Sequence, residues 1–280
     1  MSKLLNHIDK LKLGIIDDNL KKELKQVNLL TEDKTNAKLS KNIGVSDYKT
    51  YIMYLSPADI SGVNICPWSS KGCKKSCLNT AGRGRFSNVQ NARLRKTLYF
   101  LKLKGDFLFQ LDTQISKLKK KHKKLAIRLN GTSDLNWSTI IKRHPEVQFY
   151  DYTKSVSRVL NNRLDNYDLT FSLSESNYND TMRLLYTGNR VAMVFDEIPK
   201  YYMGYPVVNG DKHDLRFLDK HGVIIGLTAK GDAKKDLSGF VIRDVLPQGS
   251  RVISKEYTPI PIMPQKFIIN IIDVKKLSAG

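Results

Sequence analysis

From Tyr51 onward the chain repeats one pattern: a short apolar run that stops in a polar cluster. The runs are "YIMYL", "LAIRL", "VQFY", "LTFSL", "VAMVF", "PVV" and "GVIIGL", and from the second on they end in "NGTSD", "DYTK", "SESN", "DE", "NGDKHD" and "TAKGD". Short β-rich runs closed by Asn, Asp, Gly and Ser are expected to be strands. Helix-length segments such as 137–143 and 178–186 separate several of them, which predicts βα units and a parallel sheet. The expected fold is α/β, a full or partial TIM-like (β/α) barrel of parallel strands, with an open doubly wound sheet as the alternative. In such barrels the loops at the carboxyl ends of the strands build the active site, and the polar clusters fall there.

The flanks differ in texture. Residues 1–45 alternate Leu and Ile with Lys and Asp at helical spacing and then turn polar. This predicts a basic helical N-terminal extension on the outside of one barrel-like domain spanning 46–280. Phe86, Val89, Leu94, Leu98 and Leu101 predict an amphipathic helix, and a second is expected around 107–118. The tail from 257 on predicts a proline-punctuated connection, a last strand and a short cap.

All three cysteines lie at 66, 73 and 77, on a loop at 64–86 just after the first predicted strand. An odd, tightly spaced set in a chain of 280 residues does not match a disulfide framework. If the chain is helical from Cys73, that residue and Cys77 point the same way, and the loop returns Cys66 toward them. Three thiolates then hold a soft metal, while Lys71, Lys74, Lys75, Arg83 and Arg85 lower the thiol pKa values and offset the charge. Three ligands leave one position open. On an iron-sulfur cluster it takes a substrate or cofactor; on zinc it takes water or a fourth ligand such as His213. Isolated cysteines are often small buried hydrophobes, and redox or nucleophilic chemistry is a third use. Clustering argues against inert packing.

Charge changes the picture of partners. With 47 Lys and Arg against 27 Asp and Glu, the net charge of +20 points to nucleic acid or a nucleotide. The lysine run at 102–124 is either a solvated helix face or a phosphate-tracking stripe. No stretch reaches the roughly 18 apolar residues of a membrane span, and the N-terminus lacks a secretory pattern. A soluble protein in a reducing cytoplasm, without membrane contact, is expected.

Candidate chemistry follows the strand ends. Asn130, Thr132 and Ser133 offer polar contacts to a base or sugar, and the same group also suits loop and cap chemistry. Asp134, Asp151, Glu175, Asp211 and His213 are candidate catalytic groups, with Glu175 as a general base or a partner for a cofactor amine. Lys154, Ser174, Arg216 and Lys230, with Arg83 and Arg85, are candidate substrate or phosphate contacts. Trp68, Phe86, Tyr99, Trp137, Tyr150 and Tyr152 interleave with basic residues, as stacking on bases requires, although most aromatics fill cores. No phosphate-binding P-loop, nucleophile elbow, zincin motif or dinucleotide fingerprint occurs, so common ATPase, hydrolase and dehydrogenase activities lose support.

"CPWSSKGCKKSCLNTAGRGRF", "RLNGTSDLNW", "VQFYDYTK", "LTFSLSESN" and "GDKHDLRFLD" followed by "VIIGLTAKG" and "SGF" together resemble the bacteriophage gene product 88 domain family, from about 64 to 240. That resemblance implies a phage-encoded protein acting in the bacterial cytoplasm. Three cysteines after the first strand of a β/α barrel are also similar to radical S-adenosylmethionine enzymes, whose usual spacing is C-x3-C-x2-C where this chain has x6 and x3. The resemblance implies an iron-sulfur cluster with S-adenosylmethionine. Three functions compete. The first is a metal-cluster enzyme that modifies nucleic acid or a nucleotide precursor. The second is a zinc-containing base-exchange transglycosylase with Asp134, Asp151 or Asp211 as nucleophile. The third is a non-enzymatic phage factor that binds nucleic acid.

Overall fold

A computed structural model describes residues 2–243. The tail expected to form a last strand lies outside the described residues. Two helices open the chain, α1 (Ser2–Leu13) and α2 (Asp18–Leu24). Asp17 caps the second by accepting from the Leu20 amide at 2.7 Å, which satisfies one of its orphan donors. The strands β1 (Leu30–Glu32) and β2 (Lys49–Met53) follow, then the short α3 (Lys71–Lys75) and the long pair α4 (Ser87–Lys102) and α5 (Lys104–Lys121). Then come β3 (Leu125–Arg128), α6 (Ser138–Lys142), β4 (Gln148–Thr153), α7 (Val156–Leu160), β5 (Tyr167–Ser172), α8 (Tyr178–Tyr186) and β6 (Val191–Phe195). The hairpin β7 (Tyr201–Tyr202) and β8 (Tyr205–Asn209), β9 (Ile224–Thr228) and β10 (Val241–Ile242) complete the described chain.

The sheet runs β1-β2-β3-β4-β5-β6-β9-β8-β7, with β10 paired to β6. All seven apolar runs become parallel neighbours, from β2 across to β8. The antiparallel β1 and β7 at the two ends, and β10, are additions that the apolar pattern did not announce. Two or three residues are too few to show a period. Pairing runs as an open path and does not join β1 to β7. Strand β5 pairs only with Val191 and Ala192 of β6, and β10 takes Val194 and Phe195.

From β2 to β6 the strands stand in chain order, so right-handed crossovers place their helices on one face. That face carries Met53, Ile127, Phe149 and Phe171 against α4 to α8. In α5 the buried residues Phe107, Gln110, Leu111 and Ile115 recur at helical spacing, which explains the predicted amphipathic helix. Its lysines fall on the exposed side or the last turn. The opposite face meets a short 3-10 turn and its flank rather than an α-helix: Leu215 and Phe217 pack on Ala126 and Tyr150. Among the described residues no α-helix packs on that face of this half of the sheet, where a doubly wound arrangement would place one.

The N-terminal helices share the main core. Ile8, Leu11, Leu20 and Leu24 are buried with Tyr99, Phe107 and Trp137 in one cluster, and all described residues belong to one compact unit. Among the described residues no helix is long and apolar enough to cross a membrane. Leu11→Ala is expected to cost about 2–5 kcal/mol in urea unfolding, as core truncations do. Leu13→Ala, 75% exposed on the same helix, should stay within about 0.5 kcal/mol. Equal effects would show that α1 is not docked.

Candidate functional site

The seven strands from the apolar runs, β2 to β6, β8 and β9, send their carboxyl ends to one cavity of about 1220 Å³. Tyr54 and Pro57 follow β2 into its wall, Arg128 and residues 130–134 line it from the end of β3, and 152–154 from β4. Ser172, Val194, Asp211 and Lys230 represent β5, β6, β8 and β9. The segment after β2 closes the other side and brings Cys66, Cys73 and Cys77 to the same wall.

The local geometry of the cysteines corrects one expectation. Helix α3 has five residues and ends at Lys75, so Cys77 lies beyond it in extended backbone (φ −61, ψ 137). The i, i+4 alignment of Cys73 and Cys77 therefore does not exist. What holds the loop is a capping arrangement. Ser70 Oγ accepts from the Cys73 amide at 3.1 Å and donates to Glu175 at 2.7 Å, and the Gly72 amide donates to the same carboxylate at 2.7 Å. Glycine at 72 lets the backbone approach this closely, since a Cβ there would crowd Ser238 Oγ and the Glu175 carboxylate and force those side chains to move. Glu175 thus anchors α3 and is absent from the cavity lining.

All three thiols are free. Burial pushes Cys66 up to about 11, opposed by the Ala58 amide and reinforced by repulsion from Cys77 and Cys73. Burial also raises Cys77. The expected lowering by nearby lysines is reversed at these two because Lys71, Lys74 and Lys75 are exposed, where water screens them. Among the described residues no three His, Cys, Asp or Glu side chains are grouped as a metal site, so His213 is not gathered with the thiols as a fourth ligand.

The "NGTSD" segment is folded by its own hydrogen bonds. Asn130 Oδ1 accepts from Ser133 Oγ at 2.8 Å, the Leu135 amide at 2.9 Å and Trp137 Nε1 at 3.1 Å. Asp151 is turned to the helix-bearing side, accepting from the Asn130 amide at 2.7 Å and Tyr167 at 3.1 Å. It lies outside the cavity lining, and burial raises its pKa to about 6. Thr132 donates to the Leu55 carbonyl. Asp134 borders the cavity but is paired with Arg158 and accepts from the Lys154 amide at 3.0 Å. Lys154 itself faces the cavity and donates to Ser172 at 2.9 Å.

On the opposite wall Asp211 is tied to Lys230 and to the Thr228 amide at 3.0 Å; burial raises its pKa, and these partners together outweigh it and lower the net value. His213 Nδ1 lies 3.3 Å from the Leu215 amide and 3.1 Å from Arg216, so it accepts and the proton sits on Nε2. Burial, then the Arg216 charge, lowers its pKa and favours the neutral ring. Arg216 is fully buried, paired with Asp219 at 3.2 Å and outside the lining. Ser174 and Arg85 are also off the wall, while Arg83 is on it. Tyr99, Trp137 and Tyr150 are buried, which excludes them as base-stacking surfaces; Trp68 and Phe86 are exposed.

Several cavity residues escaped sequence reasoning. Buried Arg128 and Asp214 form a group with half-buried Lys38, with Arg128 3.0 Å and Lys38 3.2 Å from Asp214. Burial and the Arg128 charge bring Lys38 down to about 8 in spite of the carboxylate. From α4 come Arg93 and Lys96, 9% and 8% exposed. Burial, then Arg95 and Arg93, brings Lys96 to about 8. The wall is positive overall, because Asp59, Asp134, Asp211 and Asp214 already have Lys or Arg partners while Lys41, Arg83, Arg93, Lys96 and Lys154 add charge. None of the lysines between 102 and 124 lines it.

The family model described as gene product 88 matches residues 27–244. No curated protein and no solved structure matches the chain.

Asn130→Ala strands three donors, each worth about 1–3 kcal/mol when buried and unpaired, so urea unfolding should register a loss of about 3 kcal/mol. In metal-free protein, Cys66 should alkylate slowly at pH 8. Its rate should rise roughly tenfold per pH unit until the pH nears its pKa of about 11, as followed by mass spectrometry. A rate already at its plateau at neutral pH would contradict the buried thiol.

Proposed function

Since the chain belongs to the phage gene product 88 family, with residues 27–244 matched, we propose that it is an enzyme that modifies nucleic acid or a nucleotide precursor in the bacterial cytoplasm. The supporting observation is the meeting of three thiols and a positively charged wall on one cavity at the strand ends. Phosphate-bearing ligands are attracted by such a wall, and a concave site of this volume accepts a nucleotide-sized group. The seven strands β2 to β6, β8 and β9 are interpreted as a partial β/α barrel, on the ground that each sends its carboxyl end to the cavity.

Cys66, Cys73 and Cys77 are proposed to hold an iron-sulfur centre used with S-adenosylmethionine, and zinc is the alternative. The donor chemistry suits a soft metal. The spacing in the structure does not, because no three-donor group stands ready among the described residues. Binding therefore requires the five-residue α3 and its flanks to re-form around the ion. The chain's own residues have simpler tasks: Lys154 and Arg83 attract phosphate, and His213, held neutral, carries its proton on Nε2, 3.8 Å from Asp219. A base-exchange mechanism needs a carboxylate free to attack. Asp134 and Asp211 are bound to cations and Asp151 faces the helices, which favours the cluster enzyme over the transglycosylase.

Anaerobically purified protein should contain iron and sulfide in stoichiometric amounts and a visible absorption that disappears in the triple Cys→Ser variant. Zinc without iron would move the assignment to the alternative. Absence of both, with the thiols intact, would remove the metal from the proposal.

A further inference from the structure

Helix α4 turns Val89, Ala92, Arg93 and Lys96 toward the cavity, at the i, i+3, i+4 and i+7 spacing of one helical face. Two of these are cations, and both are buried. Arg93 donates to Asn79 Oδ1 at 2.6 Å and lies 4.6 Å above the Tyr54 ring, while its Nε has no partner. Lys96 donates to the Leu29 carbonyl at 3.1 Å. Among the described residues the other charges acting on the pair are those of Arg95, Tyr54 and Cys77, with no carboxylate among them. Arg83 and Asn79 stand on the same cavity wall.

Buried charge without a counter-charge is costly, and an apolar residue of similar size is often neutral or stabilising in its place. A bound dianion removes that cost. An Arg fork beside a Lys point charge suits the several oxygens and double charge of a phosphate. We infer that the Arg93–Lys96 face of α4, with Arg83, is a phosphate-binding subsite that holds the ligand beside Cys77. The phosphate belongs either to a free nucleotide or to a nucleic-acid backbone. This deepens the nucleotide assignment above and rests on it for the identity of the ligand, whereas anion binding by the subsite is independent of any metal.

Full-length protein should be titrated calorimetrically with inorganic phosphate, adenosine monophosphate and a short single-stranded DNA. The variants are Arg93→Met, Lys96→Met, Lys96→Arg and, as a control for net charge, Lys120→Met on exposed α5. Both cavity Met variants should weaken the phosphate-bearing ligand by about tenfold or more, the loss expected when a charged hydrogen bond is removed. Lys96→Arg and Lys120→Met should stay close to wild type. Thermal melting of ligand-free Lys96→Met should be unchanged or raised, which separates lost binding from lost folding. Whether the mononucleotide or the DNA shows the effect identifies the source of the phosphate. Wild-type protein that binds none of the three probes, or binding that falls equally in Lys120→Met, overturns the subsite. Protein that lacks a metal centre yet binds phosphate through Arg93 and Lys96 defeats the cluster and leaves the subsite standing.

Discussion

Parallel pairing from β2 to β8 is the constraint on which the molecule depends. Strands that run the same way must end at the same rim, so loops far apart in sequence meet there without any attraction of their own. The chain-order arrangement from β2 to β6 sends the crossover helices to one face and leaves the other to irregular chain. A cavity at the carboxyl rim is the geometric outcome, and its chemistry depends on which loops the sequence supplies.

The two sides of the sheet obey different physics. The helix-bearing side is a conventional apolar core with Tyr99, Phe100, Phe107 and Trp137 in edge and tilted contact. Beneath the opposite face lie three buried ion pairs, Arg128–Asp214, Arg190–Asp168 and Arg216–Asp219. Tyr150, Tyr152 and Thr170 hydroxyls there have no hydrogen-bond partner. Such pairs give little net stability, but removing one member strands the other, so they tolerate little change in geometry.

Much of the fold was legible because parallel strands buried on both faces are apolar throughout and stop abruptly. The helices at 87–121 were legible because their burial repeats at 3.6 residues. The site was harder. Cys73 and Cys77 have helical spacing, yet the sequence does not announce that capping by Ser70 and Glu175 fixes only one turn. Asn130 and Asp151 carry reactive atoms, and only tertiary structure shows those atoms consumed in holding one loop. Arg93 and Lys96 look like members of a solvated face in a basic chain. Their register with Val89 and Ala92 was the available signal, and it is decisive only once one knows that this stripe faces inward.

The segment around Leu39–Asn42 is stitched to the far end of the described chain: Asn42 accepts from the Asp214 amide at 2.7 Å, and Lys41 donates to the Asp211 carbonyl at 2.7 Å. These stitches span more than half of the polypeptide, so they form only after Asp214 has left the ribosome. Until then the cavity lacks a wall and Lys38 lacks its carboxylate. Nascent chains stopped short of that point carry every cysteine and no finished chamber, and topology of this kind folds slowly because distant segments must find one another before either is rewarded.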